Sequence, residues 1–231
     1  MTEAQIAELV LTEADRLGYW RPHEGTPWDL FLFGLRHPTL RAGAFDDALG
    51  AVWWQADGWH ARLWPGTTDP GVDGDSGDDP HLHGQGTAIL QPGQVRGMWQ
   101  IGIHHRGRKG EHRAFVQVTE APFRRDRVSD GMLDDVGPVF RGLIGCNGHK
   151  PWRDGLERVG YASLACQVWK RREDHDEALA LADQQRQHHP TWTRYTYTLF
   201  DTAPERPASW GIRTSPTLRP LLDLLGAPSL P

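Results

Sequence analysis

Ala51-Val52-Trp53-Trp54-Gln55-Ala56-Asp57-Gly58-Trp59-His60-Ala61-Arg62-Leu63-Trp64 is the stretch that decides the fold class. Two apolar and aromatic runs flank Asp57-Gly58, a pair that favours the tight turn of a β-hairpin. Working outward, further short strands are predicted over 87–91, 97–104, 112–119, 139–147 and 195–200, with 159–169 carrying Cys166 to a strand end or turn. Helical periodicity is confined to the edges. Ile6, Leu9, Val10 and Leu17 make an apolar stripe behind Thr2, which suits an N-cap, and 173–187 places Leu179 and Ala182 on an inner face. Residues 18–45 carry Trp20, Pro22, Pro27, Trp28 and Pro38 around a short apolar run at 30–35, and read as an arm packed on the main domain. The pattern predicts a mostly β domain with peripheral helices and an N-terminal helix.

The length of 231 residues suits one domain with small appendages. Hydrophobic content of 38% against 24% charge places the chain among globular proteins rather than disordered ones. A net charge of −5 and a pI near 6.2 argue against a nucleic-acid partner bound by phosphate neutralisation. No apolar run is long enough for a membrane span. The start, Met1-Thr2-Glu3-Ala4-Gln5, lacks a basic segment before an apolar stretch, so synthesis without a signal peptide is expected. The acidic stretch 69–79 reads as a solvated loop over the cleft. The tail from 201 onward, with six prolines, reads as a surface wrap with a helical turn at 218–225.

Two cysteines limit the choice of a nucleophile. Cys166 stands 17 residues after His149, in Ser163-Leu164-Ala165-Cys166-Gln167, and His149 closes Gly145-Cys146-Asn147-Gly148-His149. A thiol reacts as its thiolate, and a nearby imidazole can take its proton. If 143–149 is a strand, Cys146 and His149 point to opposite faces, which leaves Cys146 as a small buried apolar residue and not a disulfide partner.

This arrangement resembles the L,D-transpeptidase catalytic domain, in which a histidine, a loop of about fifteen residues and a Ser-x-Gly-Cys segment follow one another. It is most similar to a phage and bacterial subset with Asn-x-His followed by Ser-Ala-Gly-Cys-Gln. The likeness extends through 65–71, 86–94, Ile101-Gly102-Ile103-His104, Ala114-Phe115-Val116-Gln117 and Tyr195-Thr196-Tyr197-Thr198-Leu199, and so covers about residues 30–200. It implies a β-sandwich or barrel and divides the chain into an N-terminal helix and entry arm (1–48), a catalytic domain (49–200) and a Pro-rich tail packing on that domain (201–231).

The resemblance implies cysteine acyl transfer on the stem peptides of peptidoglycan, with no cofactor and no metal. Cys166 would attack a peptide carbonyl to form a thioester. His149 would hold the thiolate and return the proton to the leaving amine. The backbone carbonyl of Lys150 would orient the ring, and Ser163 would fix the turn or donate to the oxyanion beside the backbone N–H groups at Ala165 and Cys166. Such an enzyme would act at the cell wall or periplasm, reached by lysis or delivery. His104, Trp152, Arg153, Ala165 and Gln167 are the expected substrate-binding residues, Trp152 as an exposed ring able to stack on a sugar. Two departures stand out. Ala165 replaces a glycine, which matters if that position needs positive φ. Val168 stands where relatives usually carry an arginine, and Arg153, Lys150 and Arg158 are candidates to read the substrate carboxylate instead.

Other readings compete. The chain can be a wall- or virion-associated binding module that keeps the fold without the chemistry. It can also be a metal hydrolase drawing on His81, His83, His104, His105, His112 and His149, although no His-Glu-x-x-His or paired Cys-x-x-Cys occurs. The segment 126–134 resembles a decayed calcium loop, with Val128 at a ligand position and no closing glutamate.

Overall fold

In a computed structural model, which describes residues 1–72, 85–133 and 137–226, the chain closes a barrel of eight strands. These are β1 (Phe31–Arg36), β2 (Asp47–Gln55), β3 (Gly58–Thr67), β5 (Gly93–His104), β6 (His112–Gln117), β9 (Gly148–His149), β10 (Gln167–Trp169) and β11 (Tyr195–Asp201). Their order around the barrel is β1-β11-β5-β6-β9-β10-β3-β2. Two neighbour pairs are parallel, β1 with β11 and β9 with β10. A separate sheet joins β4 (Thr87–Leu90), β7 (Ala121–Asp126) and β8 (Phe140–Gly142). Helices α1 (Glu3–Leu17), α2 (Arg172–His188) and α3 (Arg219–Asp223) lie outside.

The mostly β reading and the hairpin hold: β2 and β3 pair antiparallel from Gln55↔Gly58 to Asp47↔Gly66. Strand alternation sorts their side chains. Leu49, Ala51 and Trp53 join Trp64, Trp99, Phe115, Trp169 and Tyr197 in the main core, which α2 covers with Ala178, Leu179 and Ala182. Ala48 and Val52 face the other way, into a second core built by α1 (Ala7, Val10, Leu11, Ala14, Leu17) and by Leu221 and Leu222 of α3.

Two expectations need correction. The run at 30–35 is not an arm but β1, seated between β2 and β11 in the barrel wall, so the barrel begins before residue 49. Every residue of β1 is buried, because Leu32 faces one core while Phe31, Phe33 and Leu35 face the other. A strand covered on both faces loses its alternation, and that hid it. The strand expected over 139–147 is realised only as β8; residues 143–147, Cys146 among them, are irregular, and β9 starts beyond the expected range at Gly148. In the tail, Leu218, Leu221 and Leu222 are buried in the second core.

Asp69 is likewise not part of a solvated loop. It is buried and ion-paired with Arg36 at 2.8 Å. Arg36 also donates to the carbonyls of Leu90 and Thr68, and Asp47 accepts from the backbone N–H groups of His37 and Thr68. The turn after β3 is thus tied into the barrel. The rest of that acidic stretch, 73–79, and His81 and His83 lie outside the described residues.

Candidate active site

Parallel pairing of β9 with β10 brings the two halves of the motif together. Gln167 registers with Gly148 and Val168 with His149, and the Gln167 N–H donates to the Asn147 carbonyl at 2.8 Å. Cys166 lies one residue before β10 and two before Val168, so it is close in the chain to the residue that pairs with His149. The intervening segment folds back through a short 3-10 turn at Gly160–Ala162. Its approach depends on Gly71, whose N–H donates to the Ser163 carbonyl at 2.7 Å. A Cβ on Gly71 would come within 1.7 Å of the Gly160 carbonyl oxygen.

Cys166 is 8% exposed and lines a cavity of about 340 Å³ with His104, His105, Arg125, Gly145, Tyr161, Ala162, Leu164 and Ala165 among its walls. Its thiol donates to the Gly145 carbonyl at 3.2 Å and makes no hydrogen bond to His149. Burial pushes the thiol up to about 11, while the backbone at Asn147 and Ala165 pulls the other way.

His149 is 3% exposed. It lines a second, larger cavity of about 580 Å³ whose charged lining is Lys109, Glu111, Lys150, Arg158 and Arg172. The two cavities share His104, His105, Tyr161 and Ala162. Nδ1 of His149 lies 2.8 Å from the Lys150 carbonyl oxygen. A carbonyl only accepts, so Nδ1 carries the proton and Nε2 presents its lone pair. Nε2 is sealed from solvent without a hydrogen bond among the described residues, and the backbone at Ala162 also acts on the ring. Burial pushes the ring down to about 4, so it is neutral at pH 7.

His149 stacks on His104, with ring centroids 4.1 Å apart and planes at 15°. His105 and His112 edge against His104, and His175 of α2 meets His112 at 6.1 Å. Burial is the first cause that lowers His104 to about 2 and His175 to about 3, and the other imidazoles add to it. Both ring nitrogens of His175 are buried without a hydrogen bond, since Asp176 Oδ1 is 3.6 Å away, beyond hydrogen-bonding reach. His175 and Arg125 escaped the sequence reading, and no local motif marks either. Asn147, also missed, carried a weak signal as the first residue of Asn-x-His.

The remaining candidates divide. Ser163 is fully buried and its hydroxyl donates to the Cys166 carbonyl at 2.8 Å, which fixes the turn and leaves no proton for an oxyanion. Ala165 lines the Cys166 cavity without positive φ, so the alanine is accommodated. Trp152 is 65% exposed on the rim of the larger cavity, beside the 62% exposed Tyr161. Arg153 lies over the Trp152 ring, 4.6 Å from its centroid, and is not part of either cavity lining. Gln167 does not face substrate. It is fully buried, accepts from the Tyr197 hydroxyl at 2.6 Å and donates to the Thr68 carbonyl. Val168 is buried, and Lys150 is paired with Asp176 at 3.0 Å. Cys146 is a free thiol in the main core, 3.6 Å from the Gln167 amide nitrogen.

Among the described residues no group of three or more His, Cys, Asp or Glu is arranged to hold a metal ion. In the calcium-like segment, Asp126 and Asp130 accept from the N–H groups of Val128 and Met132, and 134–136 lie outside the described residues. No helix among the described residues is long and apolar enough to cross a membrane.

No family model, no curated protein and no solved structure matches this chain.

Proposed function

We propose that this protein is a cysteine acyl-transfer enzyme of the L,D-transpeptidase kind, acting on peptidoglycan stem peptides through a thioester on Cys166. One observation supports the reading: parallel pairing of β9 with β10 registers His149 with Val168, two residues after Cys166, and His149 Nε2 makes no hydrogen bond among the described residues. With the thiol held near 11 and the imidazole near 4, the resting pair is neutral rather than a thiolate–imidazolium. Attack therefore needs the thiol to leave the Gly145 carbonyl and pass its proton to Nε2 as the C–S bond forms. The tetrahedral intermediate collapses as the C–N bond breaks, and the amine takes the proton back from His149. An incoming amine or water then releases the acyl group. Arg125 on the Cys166 side, and Arg158 and Arg172 on the other, have no carboxylate partner among the described residues and are suited to a substrate carboxylate.

Incubation with defined tetrapeptide and pentapeptide muropeptides, with products read by mass spectrometry, tests the proposal. The wild type is expected to convert at least one, and Cys166→Ala none. Conversion that survives the substitution would end the assignment.

A second reading, a binding module of the same fold without the chemistry, is favoured by the protonated and nearly buried thiol. It predicts muropeptide binding without turnover in both wild type and Cys166→Ala.

A further inference from the structure

We propose that His104 is a catalytic hydrogen-bond donor, whose Nε2–H meets the carbonyl oxygen of the acyl donor as it becomes an oxyanion. The inference rests on the acyl-transfer reading and adds a residue to it.

Asn147 sets the tautomer of His104. Its side-chain oxygen accepts from the Gln117 backbone N–H at 2.8 Å, which fixes the orientation of the amide. The amide nitrogen is therefore the end that faces His104, 3.0 Å from Nδ1. An amide NH₂ only donates, so Nδ1 of His104 must accept, and the ring proton sits on Nε2. The neighbouring ring is set the opposite way, because the Lys150 carbonyl holds the His149 proton on Nδ1. Two stacked imidazoles thus offer complementary tools, a lone pair on His149 and an N–H on His104.

Placement supports the division of labour. His104 lines the cavity that holds Cys166 as well as the one that holds His149. No described residue takes its Nε2–H, and that nitrogen is not among the sealed, unpartnered buried atoms. Ser163, the other side-chain donor considered for this task, has spent its proton on the Cys166 carbonyl. Burial keeps His104 neutral across the working pH range, so it donates without acting as an acid. In the step itself, Cys166 Sγ bonds to the carbonyl carbon, the π pair moves onto oxygen, and the thiol proton goes to His149. His104 keeps its proton throughout.

Two reagents separate this role from a structural one. An activated ester such as p-nitrophenyl acetate acylates through an oxyanion; iodoacetamide alkylates by displacement at a saturated carbon and forms none. Rates on Cys166 are read by intact mass, with Cys166→Ala as background. His104→Ala is expected to slow acylation by about 10²–10³-fold and to change alkylation by no more than about threefold. His104→Gln, which restores an N–H, should recover at least about tenfold of the loss, an allowance within that same range. Equal loss with both reagents, or no loss with the ester, overturns the proposal. Ring ¹⁵N shifts of the wild type give an independent readout, with protonated Nε2 expected on His104 and protonated Nδ1 on His149. The reverse tautomer at His104 overturns the assignment whatever the labelling shows. A wild-type Cys166 that takes up neither reagent ends the acyl-transfer reading, and the role of His104 with it.

Discussion

In the proposed reaction, a thiol held near 11 and an imidazole held near 4 make a nucleophile that is created during attack rather than stored. This sets the pH behaviour. His149 works only when its Nε2 is free, so activity should be lost as pH falls through about 4 and stay level across neutrality. A kcat/KM profile over that range checks it; a bell centred between two near-neutral limbs would indicate a preformed ion pair instead. His149→Gln should reduce kcat by about 10²–10⁴-fold, the usual worth of a general base, while circular dichroism and melting stay near wild type. His175 gives a stability test. Its folded pKa, about 3, is depressed below the ordinary imidazole value of 6.5, so below 6.5 the unfolded chain binds a proton that the folded chain refuses. The native state is penalised progressively as pH falls from 6.5 towards 3. His175→Phe removes that penalty and two unsatisfied nitrogens, and keeps a ring against Trp169 and Phe115. It should stabilise by about 1 kcal/mol at pH 7. The gain should grow by up to about 1.4 kcal/mol per pH unit below 6.5, read by urea unfolding at several pH values.

The site is assembled by elements that meet only through the fold. Gly71, after β3, receives the turn that precedes Cys166, and a methyl group there would collide with the Gly160 carbonyl. Gly71→Ala is expected to cost about 1–3 kcal/mol and to displace that turn, so iodoacetamide labelling of Cys166 should change more than the melting temperature alone explains. Unchanged labelling and stability would show that the turn is not seated by this contact. The hairpin of β2 and β3 was legible because Asp57-Gly58 marks a tight turn between two apolar and aromatic runs. β1, which like β2 faces a core on each side, has no such turn beside it and lost its alternation. β7 went unread as well, since Arg124 and Arg125 make it look polar. Burial of Arg124, whose guanidinium meets the Trp210 carbonyl, and the contact of Arg125 with the Gly86 carbonyl are supplied by distant segments. The positions of Cys166 and His149 were legible as residues. That the thiol would turn to Gly145, and that His104 would lie between the cavities, depends on the irregular segment after β8, which has no periodic signature.

At the scale of the molecule, the barrel closes through a pairing no local pattern reveals: β1 runs parallel to β11, with Leu32 beside Tyr197. The terminal segments then lock the outside of that seam, since α1 and α3 share one core with Phe31, Phe33 and Phe200. Leu222→Ala should therefore cost about 2–5 kcal/mol in denaturant unfolding, although the residue lies in a tail whose prolines suggest a loose wrap. A cost below 1 kcal/mol, the scale of a surface change, would mean that the tail does not contribute to the barrel's stability. The proposed function requires Cys166 to carry an acyl group. Intact mass of the protein after brief exposure to a tetrapeptide stem, followed by peptide mapping, tests it most directly. The account predicts a hydroxylamine-labile adduct on Cys166 with the mass of the acyl fragment, absent in Cys166→Ala and weakened in His149→Gln. Product formation with Cys166 unmodified under quenching that preserves thioesters, or an adduct confined to another residue, would contradict it.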